Sequence, residues 1–371
     1  MPTNQAAWLT AKKAKPLEIK PAPYTPPGEN EIVIRNRAVA INPVDWSKQI
    51  CGDIMLGWVK YPCILGNDVA GEVVEVGSGV GAERFTVGDR VFGHAVGLDK
   101  RSNKTSEGAF QEYVVLRTNL ASQIPDSVTF EEACVIPLGA STAASGLFMK
   151  DYLNLQLPKV DTQPNGETLL VWGGSTSVGC NAIQLAIGAG YEVIATSSPR
   201  NFEYLKSLGA KEVFDYRSPT VVQDITKAFQ DRKIAGAFAI GSGSMIPCVD
   251  IVAAAKGRKF VAQASIAGAS KPPANLAEVL PVGLAMLSEN VVVTFKSKLG
   301  GVRRKFIWGS DLMANEVGTA VYQDFLPEAL AHGKFVPAPK PKVVGKGLET
   351  IQEAFAVGIN GVSAEKIVVS L

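Results

Sequence analysis

Gly174, Ser175, Thr176, Ser177, Val178 and Gly179 interrupt the apolar run 169–172 where a helical pattern begins. Small residues there let an anion approach the main chain. Backbone N–H groups at the start of the following helix, with its positive dipole end, would face a pyrophosphate. The spacing departs from G-x-G-x-x-G, because Thr176 stands where the middle glycine usually sits. An NAD site also calls for Asp or Glu about 20 residues further on, to accept hydrogen bonds from the adenine ribose. Here that stretch reads Thr196, Ser197, Ser198, Pro199, Arg200, Asn201, with no carboxylate. A carboxylate would repel a ribose 2′-phosphate, whereas Arg200 and the two serine hydroxyls would bind it. NADP(H) is therefore the expected cofactor. Ser198 and Pro199 also read as an ordinary helix N-cap with proline in the first turn.

Positioning these groups requires a strand, a turn, a helix and a second strand. Ala182, Leu185, Ala186 and Ala189 recur at helical spacing, Gly190 ends the pattern, and 192–196 reads as a buried strand. Further strand-like runs at 211–216, 236–240, 259–264 and 291–295 alternate with helical stretches. Six strands with helical crossovers predict an α/β doubly wound parallel sheet, whose ligand lies outside the carboxyl ends of the strands. The turns after Trp172, Thr196, Ile240 and Ala264 are thus expected at the cofactor, adding Gly241 and Ala264 to the candidate set. Earlier in the chain, period-2 runs at 32–41, 68–76 and 109–116 and a turn signal at 87–90 predict a β-rich barrel. A helix over 311–331, an extended stretch 337–342 and a last strand 365–371 are expected to rejoin it. The expected division is 1–150 with 300–371 as one domain and 151–299 as the other, with 152–166 as the linker.

The 37 basic and 35 acidic residues nearly cancel, at a net charge of +2. That balance predicts neither a nucleic-acid footprint nor attraction to an anionic membrane. The first residues lack an apolar segment behind a basic one, and no apolar run approaches the length of a membrane span, so a soluble cytoplasmic protein is expected. Val369, Ser370 and Leu371 match the peroxisomal Ser-Lys-Leu signal only in part. Five cysteines without a C-x-x-C pair read as buried thiols in a reducing compartment.

Several segments resemble the medium-chain dehydrogenase/reductase superfamily over essentially the full length. Asn42, Pro43, Val44 and Asp45 are similar to the N-P-x-D segment of its quinone oxidoreductase and enoyl reductase branches. Gly66, Asp68, Gly71 and Val73 resemble its G-x-[DE]-x-x-G-x-V strand, and Val87, Gly88, Asp89 and Val91 its V-G-D-x-V turn. Residues 138–144 sit where such chains enter the cofactor fold, and 361–367, including Val362 and Ser363, where the last turn and strand approach the nicotinamide. Among members the sequence is most similar to fungal zinc-independent reductases, including the stand-alone trans-enoyl reductases of polyketide pathways. The resemblance implies a GroES-like β-rich catalytic domain beside a Rossmann domain with a six-stranded sheet. It implies NADP(H), a small enone, enoyl or quinone substrate, and a polyketide synthase as a partner. Family members dimerise through the last strand of the cofactor domain, whereas trans-enoyl reductases are often monomers, so monomer and homodimer both stay open.

Zinc-dependent members place Cys in the first segment and His in the second. Here Pro43 to Ser47 carry no thiol, and Asn67 replaces the His. A catalytic zinc needs three convergent N, O or S ligands, so no metal is expected; His94 alone reads as a structural residue. Without zinc, the negative charge that hydride addition builds on a substrate oxygen must be met otherwise. By the resemblance, Lys48 is the first candidate, as an ammonium that stabilises an enolate or donates a proton, and Thr142 the second. Lys48 also reads as a surface lysine beside Asp45, and Thr142 as a helix-entry residue. Asn42, Asp45, Asn67 and Asp68 are expected to form a polar network about the vacated metal position. Pro43 and Asp45 belong to the cofactor set by the same resemblance, and Tyr216 resembles a tyrosine packing beside the 2′-phosphate, or else fills a sheet edge. The expected activity is NADPH-dependent reduction of the C=C bond of an α,β-unsaturated carbonyl. Quinone and carbonyl reduction are rivals, and a non-catalytic NADPH-binding sensor or accessory subunit is an alternative of another class.

Overall fold

The computed structural model describes residues 2–264 and 276–371. The chain divides into two compact units, Met1–Leu138 with Leu312–Gly333 and Pro337–Leu371, and Gly139–Asp311 with Lys334–Val336. The first boundary falls at 138/139 rather than 150/151, and the return at 311/312 rather than 299/300. The stretch 152–166 therefore lies within the second unit instead of linking two domains. Tyr152, Leu153 and Leu155 are buried there, and the Tyr152 hydroxyl donates to the Phe306 carbonyl at 2.9 Å.

The first unit opens with β1 (Asn4–Leu9), β2 (Glu18–Ala22), β3 (Glu31–Ala40), α1 (Pro43–Cys51), β4 (Cys63–Ile64), β5 (Asp68–Val76), β6 (Arg90–His94), β7 (Tyr113–Arg117) and β8 (Ala121–Gln123). The strands β2, β1 and β4 make a small antiparallel sheet. β3 is the spine of a larger one, paired antiparallel with β5 and β7, while β6 pairs with β5 and β8. Gly71 shows why this strand motif carries a glycine. The β3–β5 register slips between Asn36 and Ala38, and a Cβ at Gly71 would stand 2.1 Å from the Arg35 carbonyl oxygen. The strand expected over 109–116 is shorter and later, at β7.

After α2 (Phe130–Ala133) the chain crosses between units within α3 (Pro137–Phe148). The second unit holds β9 (Glu167–Trp172), α4 (Ser177–Gly188), β10 (Glu192–Ser197), α5 (Phe202–Ser207), β11 (Glu212–Asp215), α6 (Val221–Ala228), β12 (Lys233–Ala239), α7 (Met245–Ala254), β13 (Lys256–Gly257), β14 (Phe260–Gln263), α8 (Leu276–Leu299) and β15 (Arg303–Phe306). Its main sheet runs β11-β10-β9-β12-β14-β15, every pair parallel. That is the doubly wound Rossmann order, with the switch between β9 and β12. Leu170, Ile194, Ala237 and Val261 from the strands pack with Ile225, Phe229, Val249 and Val252 from the helices in one buried core.

The strand expected at 291–295 is instead the last third of α8, and the sixth strand is β15. Three consecutive valines favour a strand locally, but a helix already running from Leu276 carries through them. The turn expected after Ala264 falls largely on 265–275, outside the described residues.

The chain returns to the first unit with α9 (Glu316–Thr319), α10 (Leu326–Ala331), β16 (Lys340–Lys346), α11 (Ile351–Asn360) and β17 (Glu365–Ser370). The helix expected over 311–331 starts later, where the Asn315 side chain accepts the Val317 N–H, and then runs from Glu316 to Ala331 through a π-helical stretch, Ala320–Phe325, ahead of Pro327. The extended stretch expected at 337–342 becomes a strand three residues later, at β16. β17 pairs with β3 and β16, closing the order β16-β17-β3-β5-β6-β8.

Candidate active site

In the second unit the phosphate turn is a rigid corner. Gly173 adopts φ +88, open to glycine, and its N–H donates to Thr196 Oγ1 at 3.0 Å, while the Gly174 N–H donates to the Thr196 carbonyl at 2.9 Å. Thr176 caps α4: its hydroxyl accepts the Gly179 N–H at 3.0 Å and donates to the Gly173 carbonyl at 2.8 Å. A Cβ at Gly179 would lie 2.3 Å from the Gly173 oxygen, so α4 leaves the turn too closely for any side chain. Thr176 thus supplies a cap where a middle glycine usually stands, and Ser177 and Val178 head the helix with their N–H groups toward an anion position.

The candidate residues for the adenosine end gather at the carboxyl edge of β10 and β11. Ser197 pairs in register with Asp215, and its hydroxyl donates to Ser175 Oγ at 3.1 Å. The Ser198 hydroxyl caps no backbone N–H; Asn201 Nδ2 donates to it at 3.4 Å. Arg200 is exposed, as is Tyr216 just past β11. Arg217, which the motif reading did not assign, stacks its guanidinium 5.2 Å from the Tyr216 ring centre. Its signal in the sequence was position alone: it follows Tyr216 at the end of the neighbouring strand. The one carboxylate of this edge, Asp215, stands on β11 and accepts the Arg217 backbone N–H at 3.0 Å. At the next strand end, Gly241 (φ +92) leaves open space where a side chain would go. Ala264 closes β14 by donating its N–H to the Ala239 carbonyl at 2.9 Å. These residues fit a nicotinamide dinucleotide.

Thr142 lies on α3, one helical turn after Gly139. A Cβ at Gly139 would come 2.6 Å from Ser177 Oγ, so this face of α3 packs on the first turn of α4 and sets the half-buried Thr142 beside it.

In the first unit Asn42, Asp45 and Asp68 form the expected polar network with one further member, while Asn67 bonds to the Ala95 carbonyl instead of to these three. Asn42 Nδ2 donates to Asp68 Oδ2 at 2.8 Å, and the Leu138 N–H to Asp68 Oδ1 at 2.6 Å. Lys366 of β17 places its ammonium 2.9 Å from Asp68 Oδ2 and 2.5 Å from Asn42 Oδ1, with 5% of the residue exposed. Sequence reading missed Lys366, because a lysine at the head of the apolar run 367–369 reads as a solvated strand end and gives no sign that it turns inward. Asp45 is wholly buried and spends Oδ2 on the Asn42 N–H at 2.8 Å, the box that caps α1. Burial pushes its carboxyl up to about 8, reinforced by the nearby Asp68 charge and opposed by the Asn42 backbone bond. Asp45 is thus a helix cap rather than a cofactor contact. Asn67 Nδ2 donates to the Ala95 carbonyl at 3.1 Å, and burial drives the His94 imidazole down to about 4.

This donor set does not suit zinc. Amides and one lysine-paired carboxylate occupy the position, and among the described residues no group of three His, Cys, Asp or Glu side chains converges. All five cysteines are free and buried, and burial raises each thiol, Cys63 to about 11 and Cys180 to about 12.

Lys48 is neither a surface lysine nor open to solvent. It has no exposed surface, and its Nζ donates to the Leu56 carbonyl at 3.1 Å and the Gly52 carbonyl at 3.3 Å, with Asp53 at 3.7 Å and the Tyr61 ring centre at 4.8 Å. An ammonium so enclosed ties down the loop after α1. Pro43 is exposed at the first turn of that helix, and Val362, 38% exposed, and Ser363 lie in the turn between α11 and β17.

Residues 28–126 match the alcohol dehydrogenase GroES-like domain, and residues 177–293 the zinc-binding dehydrogenase family. The chain is 54% identical to dehydrogenase pigH of Monascus ruber, over the whole of both chains. It is 38% identical to trans-enoyl reductase himH of Aspergillus japonicus, over 99% of this chain and 97% of that one. An alcohol dehydrogenase superfamily protein from Novosphingobium aromaticivorans shares the fold, with a TM-score of 0.72 at 24% identity over all of both chains. A parallel sheet in Rossmann order, a GroES-like unit built around the G-x-D-x-x-G-x-V strand and full-length relatives together make this chain an oxidoreductase of the medium-chain dehydrogenase/reductase family.

Proposed function

We propose that this protein is an NADPH-dependent reductase of the C=C bond in α,β-unsaturated carbonyl compounds, working without zinc. The observation that carries the cofactor choice is the edge formed by β10 and β11, where Ser197, Ser198, Arg200 and Arg217 stand with no carboxylate at the end of β10. A 2′-phosphate gains charge-assisted hydrogen bonds there and meets no like charge on that strand. When bound, the nicotinamide would supply a hydride for the substrate β-carbon, and a proton taken up at the α-carbon would complete the saturation. The chain's own work is to bind and orient. The capped turn 173–179 holds the pyrophosphate, and the Thr142 hydroxyl donates a hydrogen bond to the carbonyl oxygen, where negative charge grows. The lysine-paired Asp68 and neutral Asn67 make a zinc ion unnecessary to the charge balance. The full-length similarity to a trans-enoyl reductase supports an enoyl substrate over a simple aldehyde.

Steady-state assays with an enone, a quinone and an aldehyde, each with NADPH and NADH, test this reading. The enone with NADPH is expected to have the highest kcat/KM. Equal rates with NADH would refute the 2′-phosphate argument, and a quinone preference the substrate class. Tight NADPH binding without turnover on any substrate would mark a sensor or accessory subunit.

A further inference from the structure

Where β3 begins, the first unit encloses a cavity of about 500 Å³, a size that takes a small molecule. It is remote from the polar network around Asp68. Glu31, at the cavity, opens β3 and pairs across the sheet with Arg117 of β7, whereas Ala40 at the other end of β3 pairs with Asp68. At ~3.3 Å per residue the two ends of the strand stand roughly 30 Å apart.

The wall carries both signs of charge in equal number, Arg84 and Arg117 against Glu29 and Glu31. Arg117 gives Nε and Nη2 to the buried Glu107, at 3.1 and 3.4 Å, and its Nη1 is engaged by no described residue. Lys104 shares the same carboxylate at 3.3 Å, so Glu107 does not fully neutralise Arg117. Arg84 gives Nη1 to Asp324 at 2.9 Å and keeps its other two nitrogens. On the acceptor side, Glu29 receives only the Asn30 side-chain amide, at 3.5 Å. Gln323 Nε2 donates to the Thr118 carbonyl at 2.7 Å and Asn119 Nδ2 to the Met313 carbonyl at 3.3 Å, which leaves both amide oxygens as acceptors. Gln323 belongs to the π-helical stretch Ala320–Phe325, an irregularity frequent at functional sites. The rim is fixed in advance: Asn30 Oδ1 accepts the Gly81 N–H, and the Asn30 carbonyl the Thr118 N–H, each at 3.0 Å.

We propose that this cavity binds a small zwitterion, an α-amino acid with an aliphatic side chain. Its carboxylate would meet Arg84 and Arg117, and its ammonium Glu29 with the amide oxygens of Asn119 and Gln323. The aliphatic part would rest on Met313 and Val80, the apolar residues of the lining. A ligand of one charge would desolvate the opposite wall without giving it a partner, and an uncharged apolar one would do so to both. A zwitterion satisfies both walls and adds no net charge between them.

Isothermal titration calorimetry of L-leucine into the full chain, alone and saturated with NADPH, tests the proposal. One site is expected, with the same affinity in both states. Isocaproate, which lacks the ammonium, and isoamylamine, which lacks the carboxylate, should each bind at least about 10-fold more weakly. Glu29→Gln and Arg84→Gln should each weaken leucine about 10-fold. Both side chains are exposed, and Arg84 loses only a surface pair with Asp324, so thermal unfolding and NADPH affinity should not change. Absence of heat at millimolar leucine overturns the proposal, as does equal binding of either singly charged analogue or full leucine affinity in either variant. Competition between leucine and NADPH overturns it too, by placing the amino acid in the cofactor site.

Discussion

In the proposed reading, Arg200 and Arg217 act through charge at an exposed edge, and their contribution belongs to cofactor choice and not to folding. Removing either guanidinium should forfeit about 1.5–3 kcal/mol of a charged hydrogen bond, raising KM for NADPH roughly 10- to 100-fold. KM for NADH should hardly change, as steady-state kinetics with both cofactors will show. Lys366 acts through burial. Lys366→Met leaves Asp68 as an uncompensated buried charge, an expected loss of about 3–5 kcal/mol in denaturant unfolding. Lys48→Met also removes a buried ammonium, but Asp53 is half-exposed to water, so the loss should be smaller, with kcat per folded molecule unchanged. Asp45 and His94 contribute opposite slopes to the dependence of stability on pH. Asp45 keeps its proton in the folded state to about pH 8 but loses it near 3.8 when unfolded, so its share of stability falls as pH rises between those values. His94 stays neutral down to about pH 4 when folded but protonates near 6.5 when unfolded, so its share falls as pH drops through that window. The two slopes oppose each other below pH 6.5, leaving a decline from there to about 8. Asp45→Asn should abolish that decline, and His94→Gln should extend it toward pH 4, both read from urea midpoints against pH.

Turns and helices differ in what a glycine does for them. Gly179→Ala pushes a methyl group into the Gly173 carbonyl, 2.3 Å away, so α4 must shift off the phosphate turn. A loss of roughly 1–3 kcal/mol in stability is expected, with a weaker NADPH affinity measured by fluorescence titration. Gly283 lies inside α8 with nothing within 4 Å of a new Cβ. Gly283→Ala should therefore stabilise the helix, by about 0.5–1 kcal/mol in thermal unfolding. The contrast separates a glycine required by close packing from one that only loosens a helix. The α8 region also shows where local patterns mislead. Residues 291–295 carry strand-forming valines, but their neighbours decided for helix.

For the whole molecule, the expected independence from metal is the sharpest consequence of the donor set around Asp68. Dialysis against 1,10-phenanthroline should leave kcat/KM unchanged, and elemental analysis should find well under one zinc per chain. Loss of activity restored by added zinc would contradict the pairing of Lys366 with Asp68 as the charge balance of this position.

Short-range chemistry made the nucleotide fold legible in advance. The break from an apolar strand into small residues, the helix ending at Gly190 and the carboxylate-free Thr196–Ser197–Ser198 stretch are all encoded within some thirty consecutive residues. The G-x-D-x-x-G-x-V strand likewise carried its reason in sequence, since Gly71 answers a register slip against β3. What joins distant segments was not written locally. Lys366 reaches Asn42 and Asp68 across some 300 residues, Arg217 gains its meaning from the strand beside it, and Lys48 becomes a buried tether through carbonyls of its own loop. A side chain's type is a property of the sequence, but its solvent, its partners and hence its charge are set by what the fold packs against it.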